Sequence, residues 1–159
     1  MAEGDSGGAL WLKGETLTVV NNVVFRNGLL GTSNLGGFDL SPTSLTFYHN
    51  TVAENWAATG KAAGVICSGG ENLVNSILWG NVGAGQHLGC TFTNSDIAGG
   101  GPGTGNINIE PDFTAEFSLN PGSPCIDKGA PTTGITVIDI LGESRSQGAA
   151  PDMGAYEVE

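Results

Sequence analysis

One unit recurs four times along this chain: an Asn, a short apolar run, and a second polar residue or glycine. The copies are NVVFRN at Asn22 to Asn27, NTVAEN at Asn50 to Asn55, NSILWGN at Asn75 to Asn81 and NSDIAGG at Asn94 to Gly100, with leading Asn residues 28, 25 and 19 positions apart. A second column precedes each copy: GGALWL at Gly7 to Leu12, GGFDL at Gly36 to Leu40, AAGVIC at Ala62 to Cys67 and GQHLGC at Gly85 to Cys90. Between the columns lie LTVVN, LTFYHN, ENLVN and TFTN. Each unit therefore reads as a short strand, a turn, a second strand ending in Asn, a corner and a third short strand. No segment sustains apolar positions at i, i+3, i+4 and i+7, because Gly or Asn interrupts almost every run. The sequence predicts an all-β chain.

Units of this length with several short strands cannot bury an apolar face alone and must stack on one another, the arrangement of a parallel β-helix. Stacking at about 4.8 Å would superpose equivalent positions. Asn22, Asn50, Asn75 and Asn94 would then form an internal ladder, since an amide both donates and accepts and Asn tolerates the left-handed conformation of a sharp corner. The expected organisation is a single domain over residues 1–159, with regular rungs over about 7–98 and irregular C-terminal rungs and cap over about 99–159. Residues 1–6 lead almost directly into a repeat, which predicts an uncapped N-terminal coil end able to pair with a second copy.

Composition narrows the partners. Sixteen acidic residues against five basic ones give a net charge of −11, and no basic cluster exists to neutralise a row of phosphates. Nucleic acid is therefore not an expected partner, and no apolar run reaches the 18 or so residues of a membrane span. The start, MAEGDSGG, has neither the basic n-region nor the apolar h-region of a signal peptide, so none is expected in this chain. Of the three cysteines, Cys67 and Cys90 end equivalent strands and are expected to stack as reduced thiols in preference to a bridge, while Cys125 reads as an isolated buried thiol.

GGALW, LTVVNNVVFRN, LTFYHNTVAEN and NSILWGN together resemble right-handed parallel β-helix repeat proteins of the pectin-lyase-like class. The stretches SDIAGGGPGTGNINIEPDF, FSLNPGSPCIDKGAP, the Asp139, Gly142, Arg145 pattern and PDMGAYE are similar to the C-terminal region of bacterial polymorphic outer-membrane-like and choice-of-anchor surface proteins. The resemblance spans about residues 7–157. It implies a right-handed solenoid and an extracellular or cell-surface location. That class holds polysaccharide lyases and hydrolases, adhesins and structural spacers, so activity has to be argued from a site.

A polysaccharide lyase would need a base beside a calcium-binding carboxylate cluster. Arg26 and Lys61 are the candidate bases and Glu54 the nearest acid, but Glu54 occupies in its unit the place Arg26 holds in the one before, which predicts a surface ion pair. Asp127, Asp139 and Asp152, in Gly- and Pro-rich loops, are the candidate ligands of a structural calcium; no other cofactor is expected. Exposed Trp residues among Trp11, Trp56 and Trp79 could stack on sugars. The expected function is a non-enzymatic stalk or adhesin-like module with carbohydrate as ligand. A polysaccharide-active lyase or hydrolase, or its inactive remnant, and a self-assembly module acting through the N-terminal coil end are the alternatives.

Overall fold

The computed structural model describes residues 9–29, 31–132, 134 and 137–158. Residues 1–8, to which the expectation of a missing N-terminal cap refers, lie outside them, as do Ile135 and Thr136 of the ITVIDILG segment. Every element among the described residues is a strand: β1 (Leu10–Val20), β2 (Val23–Phe25), β3 (Phe38–Tyr48), β4 (Thr51–Ala53), β5 (Val65–Cys67), β6 (Asn72–Val74), β7 (Ile77–Trp79), β8 (His87–Leu88), β9 (Thr91–Thr93), β10 (Asp96–Ile97) and β11 (Gly103–Thr104). Among the described residues no helix is long and apolar enough to cross a membrane.

All strand pairings are parallel. A four-stranded sheet runs β10-β7-β4-β2, and a seven-stranded sheet forks at β3. On one side β3 pairs with β1, from Leu10↔Phe38 to Gly14↔Pro42 and again from Thr16↔Ser44 to Val20↔Tyr48. On its other side, Phe38 to Leu40 continue into β5 and β8, whereas Phe47 and Tyr48 continue into β6, β9 and β11. The two arms separate because the third unit turns where the first two do not. Ser68 to Glu71 breaks it into β5 and β6, with Gly70 at φ 80°. Lys13 to Glu15 and Ser41 to Thr43 instead stay within continuous eleven-residue strands.

These observations correct the expected fold class. A right-handed parallel β-helix solenoid repeats one cross-section, with strand, turn, strand and corner in every rung. This chain forms a helix-free pair of parallel sheets, the larger a curled half-barrel that branches. Its hydrogen-bonded steps also shorten along the chain, from 28 residues to 26, then 19, then 11. Units of such unequal length cannot trace one repeated outline, so the taper and the fork replace the regular rungs expected over 7–98. The pectin-lyase-like, polymorphic outer-membrane-like and choice-of-anchor resemblance implied that solenoid and is corrected with it.

The main core lies between the sheets. Alternation along the strands turns Phe38, Leu40, Phe47, Val65, Leu73 and Phe92 of the large sheet inward against the stacked column Val24, Val52, Leu78 and Ile97 of the small one. The last sixty residues do not simply close the far end as irregular rungs. They pack along the outer face of the four-stranded sheet, where Leu119, Cys125 and Met153 meet Ile77, with Trp79, Phe113 and Val158 around them. Gly154 has no room for a side chain, since a Cβ there would meet Ile77 and Thr51 at 2.8 Å.

Candidate functional site

Two left-handed corners per unit set the positions of the polar side chains. Asn21, His49, Asn75 and Asn94 form one column, with φ of 55°, 52°, 50° and 46°; Arg26 and Glu54 begin the other at 53° and 52°. Beside the first column runs a buried ladder. Asn22 N–H and Nδ2 both donate to Asn50 Oδ1, Asn50 N–H to Ser76 Oγ, Ser76 N–H to Ser95 Oγ, and Ser95 N–H to Asn106 Oδ1. The structure thus places Asn22 and Asn50 in the ladder but Asn75 and Asn94 in the neighbouring left-handed column. Strand register decides this: Thr51 pairs with Ile77, so the residue below Asn50 is Ser76, not Asn75.

A second ladder, not foreseen as such, joins Asn27 to Asn55, Asn55 to Asn81 and Asn81 to Gln86, each acceptor oxygen receiving both a backbone N–H and a side-chain amide N–H. Asn closes all but one of the copies identified in the sequence, so the signal was present at their ends as well as their starts.

The left-handed column is where the C-terminal segment is stitched down. Asn21 donates to Ile138 O and accepts from Arg145, while Asn75 exchanges two bonds with the Ala130 backbone and Asn94 donates to Lys128 O. His49 is fully buried; its Nδ1 lies 3.2 Å from Asp152 O and its Nε2 3.0 Å from Asn75 Nδ2. Those partners fit an Nδ1–H tautomer that donates to the carbonyl and accepts from the amide. Burial, with the Arg145 charge nearby, lowers its pKa to about 3 and keeps the ring neutral.

The candidate calcium ligands lie in this same region, but their oxygens receive backbone N–H groups. Asp139 accepts from Leu141, Glu143 and Glu157, Asp152 from Asp127 and Val158, and Asp127 from Ala150. Glu157 accepts from Asp152 N–H and from Arg145 at 3.4 Å, with both side chains of the pair 3% exposed or less. Burial pushes Glu157 up to about 7 and raises Asp152 as well. No group of three or more His, Cys, Asp or Glu side chains suited to a metal ion occurs among the described residues. The motif residues Asp139, Arg145, Asp152 and Glu157 thus form a clasp that holds loops.

Arg26 Nε donates to Glu54 Oε2 at 2.8 Å across adjacent strands, at roughly half exposure, and its guanidinium lies 5.3 Å from the Phe117 ring. Lys61 is exposed in the loop between β4 and β5 and makes no side-chain bond among the described residues. The three candidates are therefore not gathered around one open cleft.

The cysteine expectation is corrected: Cys67 and Cys90 form a disulfide, and Cys125 is the free, buried thiol. The register explains it. Val65 pairs with His87 and Ile66 with Leu88, and Gly89, at φ 74°, lies against the Cys67 carbonyl. Cys90 is thus one residue past the stacked position, and its sulfur reaches back diagonally, avoiding the poor alignment of a directly stacked pair.

One open surface combines groups suited to a ligand. Trp11, Asp39, Ile66 and Leu88 are consecutive register partners across β1, β3, β5 and β8. Their neighbours Leu12, Leu40 and Cys67 turn toward the core, so this row faces outward, with Trp11 74% and Leu88 61% exposed. Lys13 and Ser41, paired two residues along, share the face. At strand spacing the row spans about 14 Å. Partial burial raises the Asp39 pKa. Trp11 was legible in the sequence; Asp39 and Leu88 were not, because only the register sets them beside it.

No protein-family model, curated protein or solved structure matches the chain. No homologue supports the pectin-lyase-like or cell-surface association read from the sequence.

Proposed function

We propose that this protein is a non-enzymatic module that contacts neutral carbohydrate through the outward row Trp11, Asp39, Ile66 and Leu88. The observation that carries the reading is the placement of an exposed indole on an outward, three-step strand surface next to a carboxylate. An indole face packs against the C–H face of a sugar ring, a carboxylate accepts its hydroxyls, and the aliphatic pair extends the contact to a second ring. The net charge of −11 disfavours uronates and other anionic glycans. An exported setting fits the Cys67–Cys90 disulfide, since such bonds persist in oxidising compartments.

The test is titration of the oxidised protein with neutral and uronate oligosaccharides, read by tryptophan fluorescence. Neutral glycans should bind, and Trp11→Ala should weaken them about tenfold, the loss of one stacking contact. Asp39→Asn should weaken them less. Equal binding by Trp11→Ala would overturn the site, and growth of absorbance near 235 nm with uronate polymers would overturn the non-enzymatic reading.

A further inference from the structure

Among the described residues the two ladders end at Asn22 and Asn27. β1 and β2 are each paired on one side only among the described residues, so a row of backbone N–H and C=O groups on each faces outward. At every step below, the side-chain oxygen of one ladder residue accepts from the residue above it. Asn22 and Asn27 hold the top positions, and their Oδ1 atoms accept no hydrogen bond among the described residues. Between the two edge strands opens a groove of about 390 Å³ lined by Ala9, Leu10, Val23, Val24, Phe25 and Asn27. Val24 begins the core column Val24, Val52, Leu78 and Ile97, so the groove borders the end of the core itself.

We propose that this edge binds an extended segment of a partner polypeptide, which adds in parallel as a further strand pair with Asn at both corners. The hydrogen-bonding pattern selects the occupant. The Oδ1 of Asn22 and that of Asn27 each match the backbone N–H and amide N–H of an incoming Asn, as Asn50 and Asn55 Oδ1 are matched by Asn22 and Asn27. The two acceptors are five residues apart, and the groove floor at Val24 takes an apolar side chain between them. The required segment is therefore Asn, any residue, apolar, two of any kind, Asn, led in by a short apolar strand. A symmetric dimer through this edge would bring the strands together antiparallel, and neither ladder would continue. The pattern therefore favours a parallel partner strand over a second copy joined by twofold symmetry.

A labelled peptide of sequence LTVVNNVVFRN, corresponding to residues 17–27, supplies the probe, with a control carrying alanine at the positions equivalent to Asn22 and Asn27. Anisotropy should show the Asn peptide binding at least about tenfold more tightly than the control, the loss of several hydrogen bonds. Amide exchange should slow in β1 and β2 on binding. The Asn22→Ala/Asn27→Ala protein should bind both peptides equally, and the peptide pair on the unmodified protein serves if that variant does not fold. Absence of binding at 1 mM, equal affinity for the two peptides, or a concentration-dependent dimer that protects β1 without peptide would each overturn the proposal.

Discussion

Asn55 shows how much one amide holds here. It is fully buried, donates from Nδ2 to Val24 O and Asn81 Oδ1, and accepts from both nitrogens of Asn27. Asn55→Ala would leave the buried Val24 carbonyl and the two half-buried Asn27 donors without this partner, so urea denaturation should show a loss of about 2–4 kcal/mol. Asn55→Ser should lose less, because Ser76 and Ser95 fill the equivalent role in the first ladder with a hydroxyl that donates to the strand behind. The same interchange of Asn and Ser limited the sequence reading. Asn75 and Asn94 match Asn22 and Asn50 by letter, yet belong to the column that binds the C-terminal segment. Asn suits both a left-handed corner and a ladder, and only the backbone register distinguishes the two uses.

At the level of elements, the disulfide belongs to one arm of the fork. Cys67 ends β5, and Cys90 follows β8 by two residues, so the bond ties the outer strands that carry Ile66 and Leu88 of the candidate surface. Closing a loop of 23 residues should stabilise the fold by about 3 kcal/mol, read as a lower urea midpoint after reduction or in Cys67→Ser/Cys90→Ser. Amide exchange should rise first in β5 and β8, while β6 and β9, on the other arm, stay protected. A uniform rise across both arms would show that the fork does not divide the sheet into separate units. The elements themselves were legible as short apolar runs between Gly, Asn and Ser. The continuity of β1 and β3 was not, because Lys13-Gly14-Glu15 and Ser41-Pro42-Thr43 carry turn-forming residues. Parallel pairing along the rest of those strands overrides that preference.

For the whole molecule, the buried acids set the pH dependence. Burial raises Asp96, which accepts from the Cys125 thiol at 3.2 Å, to about 6, as it raises Glu157 to about 7. Both carboxyls therefore hold protons in the folded chain that the unfolded chain has released, and stability falls as pH rises from about 4 to about 7. His49 acts oppositely. Lowered to about 3, it stays neutral when folded while the unfolded ring protonates below about 6.5, so its share is lost as pH falls through that range. Two acids outweigh one imidazole, and the rise in Asp152 adds to their side. Thermal unfolding should give a higher midpoint at pH 5 than at pH 8, with a maximum between about pH 4 and 5 and a decline below it. Asp96→Asn should shrink the difference between pH 5 and pH 8. An unchanged difference in that variant would assign the effect to general repulsion among the sixteen acids, which added salt would screen.

The sequence by itself determined short strands without helices among the described residues, the recurring strand-and-corner unit, the polar residues at its corners and a strongly negative net charge. These follow from local chemistry: Gly and Asn at left-handed positions, short apolar runs between them, and the signs of the side chains. Only the tertiary structure decided that the units fork and taper instead of repeating, that Cys90 reaches Cys67, and that the last sixty residues lie along a sheet. It also decided that Asp127, Asp139 and Asp152 bind backbone and that Trp11 stands beside Asp39. Each of these depends on which residue lies above which. In parallel sheets that register is set by hydrogen bonds between residues 11 to 28 positions apart, so a one-residue slip exchanges inside for outside while the local sequence stays the same.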